Sequence, residues 1–260
     1  MATFLFDEII FGPVKSRRLG VSLGINLLPV NKKICNFNCI YCECGLNSDS
    51  EKVHGRLPSR KEVYEALDLK LAAMKQENLK PDVITYAGNG EPTIHPDFPG
   101  IIDDSIILRD RYFPEARIAV LSNATTIAKP AVRNALLKID QNILKLDSVF
   151  ESTIIAHNNP GVKINVDDLI DNLAQFKGKV IIQTLFVRGT FKGMDIDNST
   201  PGEIEAWLSA LEKIRPSEVM IYTISRDTPD VGDLKKVPEK ELRQIAARVE
   251  SLGIPTQVSG

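Results

Sequence analysis

CNFNCIYC, residues 35–42, sets Cys35, Cys39 and Cys42 three and then two residues apart, with Tyr41 directly before the last thiol. Iron–sulfur clusters are held by cysteine thiolates, commonly four per cubane, so three thiolates on one short loop hold three irons and leave the fourth open. Cys44, in CIYCECG, permits a second reading: a structural zinc knuckle, which wants four tetrahedral thiolate or imidazole ligands. Zinc sites usually pair two short knuckles across a longer span, whereas these four cysteines lie within ten residues. A disulfide framework fits less well still, because the chain is 260 residues long and shows no signal-peptide pattern, which implies a reducing compartment. The cluster is the favoured reading and zinc the alternative.

Composition frames that loop. With 43% hydrophobic residues among 260, the chain can bury one sizeable core. The expectation is a single domain, 1–260, with a core over about 18–226, an amino-terminal extension at 1–17 and a carboxyl-terminal helix and strand within 227–260. The net charge of −2 provides no global basic field to hold nucleic acid. Locally, Lys15, Arg17, Arg18, Lys32 and Lys33 flank the cysteines. They form either a solvated rim or a patch that receives an anionic substrate. No apolar run approaches a membrane span. MATFLFDEIIFG carries acidic residues where a signal peptide would carry basic ones, so a soluble, cytoplasmic protein is expected.

Beyond the loop, short β-rich runs alternate with helical patterns, which argues for βα units and a mostly parallel sheet. GVSLGINL (20–27), PDVITYA (81–87), RIAVLS (117–122), ILKLD (143–147), KVIIQTLFV (179–187) and EVMIYTI (218–224) read as strands, and GIPTQVS (253–259) as a short last one. Residues 57–78 read as a helix, with a capping box of Ser59 and Glu62 and an apolar stripe of Val63, Leu67, Leu71 and Met74. Further helices are expected at 129–139 with Pro130 in the first turn, and at 164–178 with Asn165 as cap and Gly178 past the end. Two more fall at 199–214, opening on Thr200, Pro201 and Glu203, and at 237–253, stopped by Gly253 with Leu242, Ile245, Val249 and Leu252 in the core. About six strand–helix units are too few for an eight-fold barrel and suit an open, partial (β/α)6 barrel, an α/β fold.

In parallel βα folds the site lies at the carboxyl ends of the strands. After VITYA comes GNGEPT, with Gly88, Asn89, Gly90 and Glu91: glycines for close backbone approach and a carboxylate for an ammonium group, or simply a turn with a Glu at a helix start. Past RIAVL come Ser122 and Asn123, and past ILK come Leu146, Asp147 and Ser148, where Asp147 either accepts from a ligand hydroxyl or caps the next segment. Gln183 interrupts an apolar strand, and a buried amide must find partners, in a ligand or a neighbouring strand. Arg188, Tyr222 and Arg226 sit at strand mouths. Of the histidines, His54 lies in a charged loop, His157 precedes Asn158, and His95, next to GNGEPT, is the one placed to act.

The cysteine spacing, the aromatic Tyr41 and GNGEPT together resemble the radical S-adenosylmethionine (SAM) superfamily. That resemblance implies a 4Fe–4S cluster on Cys35, Cys39 and Cys42, with the SAM amine and carboxylate on the fourth iron. It also implies reductive cleavage of SAM to a 5′-deoxyadenosyl radical, which abstracts hydrogen from a substrate. GNGEPT resembles the superfamily's Gly-Gly-Glu motif for the SAM amino group, with Asn89 in place of a glycine. This assigns Asn89, Gly90 and Glu91 to SAM, Tyr41 to its adenine, Ser122 and Asn123 to methionine and ribose, and Asp147 and Gln183 to ribose or carboxylate. A flavodoxin or ferredoxin is implied as electron donor. FGPVKSRRLGVSLGINLLPVNKKICNFNCIYCE, HNNPGVKINVDDLIDNL and IYTISRDTP are similar to the group related to wyosine tRNA-base synthetases, which implies chemistry on a tRNA base. Only Cys44 remains beyond the three ligands, so the chain cannot hold a second cluster on cysteines alone, and Cys44 is read as a free thiol. Two alternatives stay open: a glycyl-radical-enzyme activase and a non-catalytic metal-binding module.

Overall fold

A computed structural model of the protein describes residues 4–16, 18–47, 55–225 and 232–260. An antiparallel strand β1 (Ile10–Ser16) folds back along β2 (Gly20–Ile25), and the long loop after β2 carries the cysteines. There follow α1 (Arg60–Gln76), β3 (Val83–Tyr86), a 3-10 turn at Pro92–Ile94, α2 (Phe98–Tyr112), β4 (Arg117–Ser122), α3 (Pro130–Leu136) and β5 (Gln141–Lys145). The second half contains α4 (Glu151–Asn158), α5 (Val166–Ala174), β6 (Ile181–Phe191), β7 (Met194–Asp197), α6 (Pro201–Ile214), β8 (Glu218–Thr223), β9 (Gly232–Lys236), α7 (Glu239–Ser251) and β10 (Thr256–Ser259).

The helices start where local chemistry dictates. Ser59 and Glu62 close the capping box of α1, Asn165 accepts from the Asp168 N–H, Thr200 from the Glu203 N–H, and Pro130 opens α3. The sheet runs in the order β1-β2-β3-β4-β5-β6-β8-β10, and from β2 onward every neighbouring pair is parallel. Its ends, β1 and β10, are not paired with one another among the described residues, so the barrel is open, as the count of βα units predicts.

Three features were not expected from the sequence. Helices α2 and α4 occupy stretches read as connections. The last parallel strands carry an antiparallel addition: β6 runs to Phe191, four residues beyond its expected end at Val187, because β7 and β9 pair with its distal half.

Strand alternation organises the interior. Outward residues such as Ile84, Tyr86, Ile118, Val120, Leu144 and Ile182 join the helices in the main core. Inward, Val83, Ala119, Ile143, Ile181 and Met220, one from each of β3, β4, β5, β6 and β8, meet Leu19 in a buried apolar plug. Two residues further along, the same faces present Leu121, Lys145, Gln183 and Tyr222, and there the lumen opens into a cavity. No helix among the described residues is long and apolar enough to cross a membrane.

Candidate functional site

The cysteine loop is held from both sides. Ile34 N–H donates to the Asn89 carbonyl (2.8 Å) and the Ile34 carbonyl accepts from Glu91 N–H (3.1 Å), which fastens the loop to the segment after β3. Gly90 has φ +139°, and a Cβ there would stand 1.8 Å from the Ile34 carbonyl oxygen, so only glycine permits this approach. On the other side, Asn38 N–H donates to the Asn158 carbonyl (2.8 Å), Ile40 N–H to the His157 carbonyl (3.0 Å) and Gly161 N–H to the Asn36 carbonyl (2.8 Å), so the end of α4 grips the loop. Asn36 Nδ2 reaches Thr125 Oγ1 (2.5 Å) and its Oδ1 accepts from Asn123 (2.6 Å), adding a third hold from the segment after β4.

All four cysteines line one cavity of about 310 Å³ at the carboxyl ends of the strands, with Gly88, Gly90, Glu91, Ser122, Asn123, Lys33, Lys145, Gln183 and Tyr222. Burial pushes the Cys35 thiol up to about 12, and the Glu91 charge adds to the rise. Burial raises Cys39 too, against the opposing charge of Lys145. Cys42 is pulled below its ordinary value by hydrogen bonding with Cys44, helped by Lys33. Donors reach the sulfurs: Phe37 N–H (3.4 Å) and Asn123 Nδ2 (3.6 Å) at Cys35, and Asn158 Nδ2 (3.4 Å) at Cys39. The Cys44 thiol lies 3.4 Å from the Gly88 carbonyl, on the same wall.

Several sequence expectations need correction. Asn89 does not line the cavity: fully buried, it donates to the Phe6 and Pro29 carbonyls (both 2.8 Å) and accepts from Phe6 N–H (2.8 Å), anchoring the amino-terminal segment. Glu91 reaches the cavity wall, but its carboxylate already accepts from Thr93 N–H (3.1 Å), Thr93 Oγ1 (2.5 Å) and Asn123 N–H (2.6 Å), so it acts as a strut between strand ends. Asp147 neither caps a helix nor faces a ligand. It accepts from Tyr41, Lys145 (3.3 Å), Asn158 (2.8 Å) and Leu185 N–H (3.0 Å), fully buried beneath the cavity. Burial alone would raise its carboxyl, but Lys145 and these donors hold it below the usual carboxylate range. The Tyr41 hydroxyl belongs to this knot, leaving its ring on the cavity wall. Arg188 is paired with Ser199 (2.6 Å) and Glu241 (2.7 Å) rather than waiting for an anion. His95 is tied to the Pro58 carbonyl (2.8 Å) and Asp97 N–H (3.1 Å) away from the cavity, so it is structural.

Other expectations meet in the cavity. Ser122 and Asn123 line it, the first accepting from Ala124 N–H (3.0 Å), the second contacting Asn36 and Cys35. Gln183, 8% exposed, points its amide there with no side-chain partner among the described residues. Of the basic group, Arg18 and Lys33 line the cavity while Lys15 and Lys32 do not; Arg17, His54 and Arg226 lie outside the described residues. Sequence reasoning passed over Lys145 and Asn158. Lys145 was detectable: with Ile143 inward, period-two alternation turns Lys145 inward as well.

This donor set fits an iron–sulfur cluster better than a lone ion. Among the described residues no three His, Cys, Asp or Glu side chains converge where one metal ion would sit. A cubane takes each thiolate on a different iron and needs no such convergence. Lys33 and Lys145 supply positive charge beside thiols that must ionise to ligate.

An open βα barrel that presents three loop cysteines over a polar cavity at its strand ends defines a class: enzymes that house a cofactor in the mouth of a partial barrel. The chain belongs to the Radical SAM superfamily, whose family model matches residues 33–197. It is 31% identical over 183 residues to a UPF0026 protein of Methanocaldococcus jannaschii, covering 69% of this chain and 54% of that one. Another curated relative is longer still, and the chain spans 30% of its length. Among solved structures, a radical SAM methyltransferase from Sphaerobacter thermophilus superposes with a TM-score of 0.64 at 12% identity, over 92% of this chain and 65% of that one. Archaeal TYW1 superposes at 0.53 and 16% identity, over 88% and 71%. Membership implies a 4Fe–4S cluster, SAM and a reductant; likeness at these identities concerns the fold alone.

Proposed function

We propose that the chain, acting as one domain, is a radical SAM enzyme in which Cys35, Cys39 and Cys42 hold the cluster and the adjoining cavity receives SAM. The observation that carries this reading is the convergence of those three thiols and the partnerless Gln183 amide on one cavity at the strand ends. Bound there and reduced by a flavodoxin or ferredoxin, cluster and SAM supply the 5′-deoxyadenosyl radical that takes a hydrogen atom from substrate. The chain's own residues do the rest. Lys33 and Lys145 offset thiolate charge, while Phe37 N–H, Asn123 and Asn158 donate to the ligating sulfurs. Glycines at 88 and 90 bare the backbone of one wall, Gln183 offers a carbonyl and an amine to SAM, and Leu121 and Leu185 exclude water. The similarity of its signature segments to the wyosine-related group favours a tRNA base or a small molecule as substrate, in the cytoplasm.

The test is anaerobic reconstitution of wild type and Cys39→Ala, reduction with SAM present, and assay of 5′-deoxyadenosine. Wild type is expected to form it, and the variant to fall to background with its circular dichroism unchanged. Retained cleavage by Cys39→Ala would sink the assignment. Stoichiometric zinc without sulfide in the purified protein would make the chain a metal-binding module instead.

A further inference from the structure

Arg18 is held at the open seam of the barrel. Its N–H donates to Ser16 Oγ (3.3 Å), its carbonyl accepts from Gln257 Nε2 on β10 (3.3 Å), and the next residue, Leu19, anchors the plug below. The side chain lines the lumen, where its guanidinium carbon lies 4.7 Å from the centre of the Tyr222 ring. No described residue pairs with this guanidinium, and its Nη1 is buried with no hydrogen-bond partner. Burying a donor of a permanent cation without an acceptor is costly. Such a group persists where a ligand supplies what the fold withholds. The pocket in front of it, about 70 Å³, is lined also by Tyr41, Glu43, Ser225 and Ser259, and is continuous with the cysteine cavity through Arg18, Tyr41 and Tyr222. That volume suits one small polar group, and the planar fork of arginine matches carboxylate and phosphate.

We propose that Arg18, stacked on Tyr222, is the specificity-determining contact for a carboxylate or phosphate group of the substrate. The inference rests on the radical SAM reading, which places SAM along Gly90, Glu91, Ser122 and Asn123. Those residues follow β3 and β4, whereas Arg18 faces β8 and β10, at the other end of the strand order. The anion therefore belongs to the molecule that lies beside SAM rather than to SAM itself.

The experiment is equilibrium dialysis of the reconstituted full chain against inorganic phosphate, and separately acetate, at constant ionic strength. Wild type is expected to bind one equivalent saturably, Arg18→Gln to bind roughly tenfold more weakly, and Arg18→Lys, which keeps the charge but loses the fork, to fall between. Tyr222→Leu removes the platform without touching the charge; it is expected to weaken binding several-fold and carries the test if Arg18→Gln does not fold. Equal phosphate binding by wild type and Arg18→Gln overturns the proposal, as does no binding by wild type. In a parallel series, SAM affinity is expected to be unchanged by phosphate and by Arg18→Gln. Competition between phosphate and SAM, with SAM weakened in the variant, would assign the anion to the SAM carboxylate and overturn the substrate assignment. Dialysis requires no SAM cleavage, so its failure leaves the radical SAM reading standing, and failure of cleavage leaves the anion result standing.

Discussion

Lys145 and Asp147 are two residues apart at the end of β5, and the alternation that turns one into the lumen should turn the other there too. Instead the chain leaves the strand after Lys145, and Asp147 sinks beneath Tyr41 and Asn158. The pair is buried, with side chains 16% and 0% exposed, and so are the groups it orients: the Tyr41 ring and the amide that donates to Cys39. Asp147→Asn leaves the Lys145 charge without its partner, and should cost roughly 3–5 kcal/mol in urea unfolding of the full chain. The sign of the pH dependence follows from the depressed carboxyl. Its stabilisation is present above the unfolded value near ~3.9 and is lost as pH falls through the lower folded one. The gap between wild type and Asp147→Asn should accordingly narrow below about pH 4. A gap that stays constant down to pH 2.5 would mean that the carboxyl is not held ionised by the fold. Asn89 makes a second residue-scale test. If it serves the amino-terminal segment, Asn89→Ala should speed amide exchange of the Phe6 N–H and cost about 1–3 kcal/mol, without changing SAM affinity; weakened SAM binding at full stability would restore it to the site.

At the scale of elements, the parallel strands of the barrel were legible because each is a short apolar run between turn signals, and five helices because caps and apolar stripes agree. Helix α2 carried an equally good stripe, Phe98, Ile101, Ile102, Ser105 and Leu108, but it opens on Phe-Pro-Gly and lacks a side-chain cap, so its start is unmarked. Helix α4 is eight residues long with little amphipathic contrast, and tertiary contacts rather than propensity hold it. Strands β7 and β9 borrow their pairing from β6, which no local pattern announces. The site divides in the same way. Cysteine spacing is local and readable, whereas whether Glu91 or Asp147 faces a ligand or a neighbour depends on where distant strand ends meet. Gly90 joins both levels, since one glycine lets the segment after β3 close on the cysteine loop. Gly90→Ala should destabilise the chain by about 2 kcal/mol or more, through strain and the contact with the Ile34 carbonyl. Iron retained per chain after anaerobic reconstitution should fall with it. Unchanged stability and iron content would show that the loop is not fixed by this approach.

For the molecule as a whole, the helices and plug close every side of the lumen but two, the strand ends above and the seam beside β10, and the cofactor and anion proposals use one each. His157 links the cysteine loop to global stability. It is 1% exposed, its Nδ1 has no partner, and its carbonyl holds Ile40 in the loop. Burial pushes its imidazole below the ordinary value, against the opposing charges of Asp147 and Asp197. The folded protein therefore keeps this ring neutral where the unfolded chain protonates it. That difference costs nothing above about pH 6.5, and grows as pH falls from there toward the folded value, by up to about 1.4 kcal/mol per pH unit. Glu91, raised by burial, works in the opposite sense, because the native state takes up its proton first and gains stability on acidification. Comparing two variants that share Glu91 cancels it. Urea unfolding of wild type and His157→Gln at pH 7.5, 6.5 and 5.5 should show the wild type losing ground to the variant below pH 6.5. Parallel curves across the three pH values would mean that the native imidazole takes its proton as readily as the unfolded one, and would remove His157 from any account of the acid sensitivity of this fold.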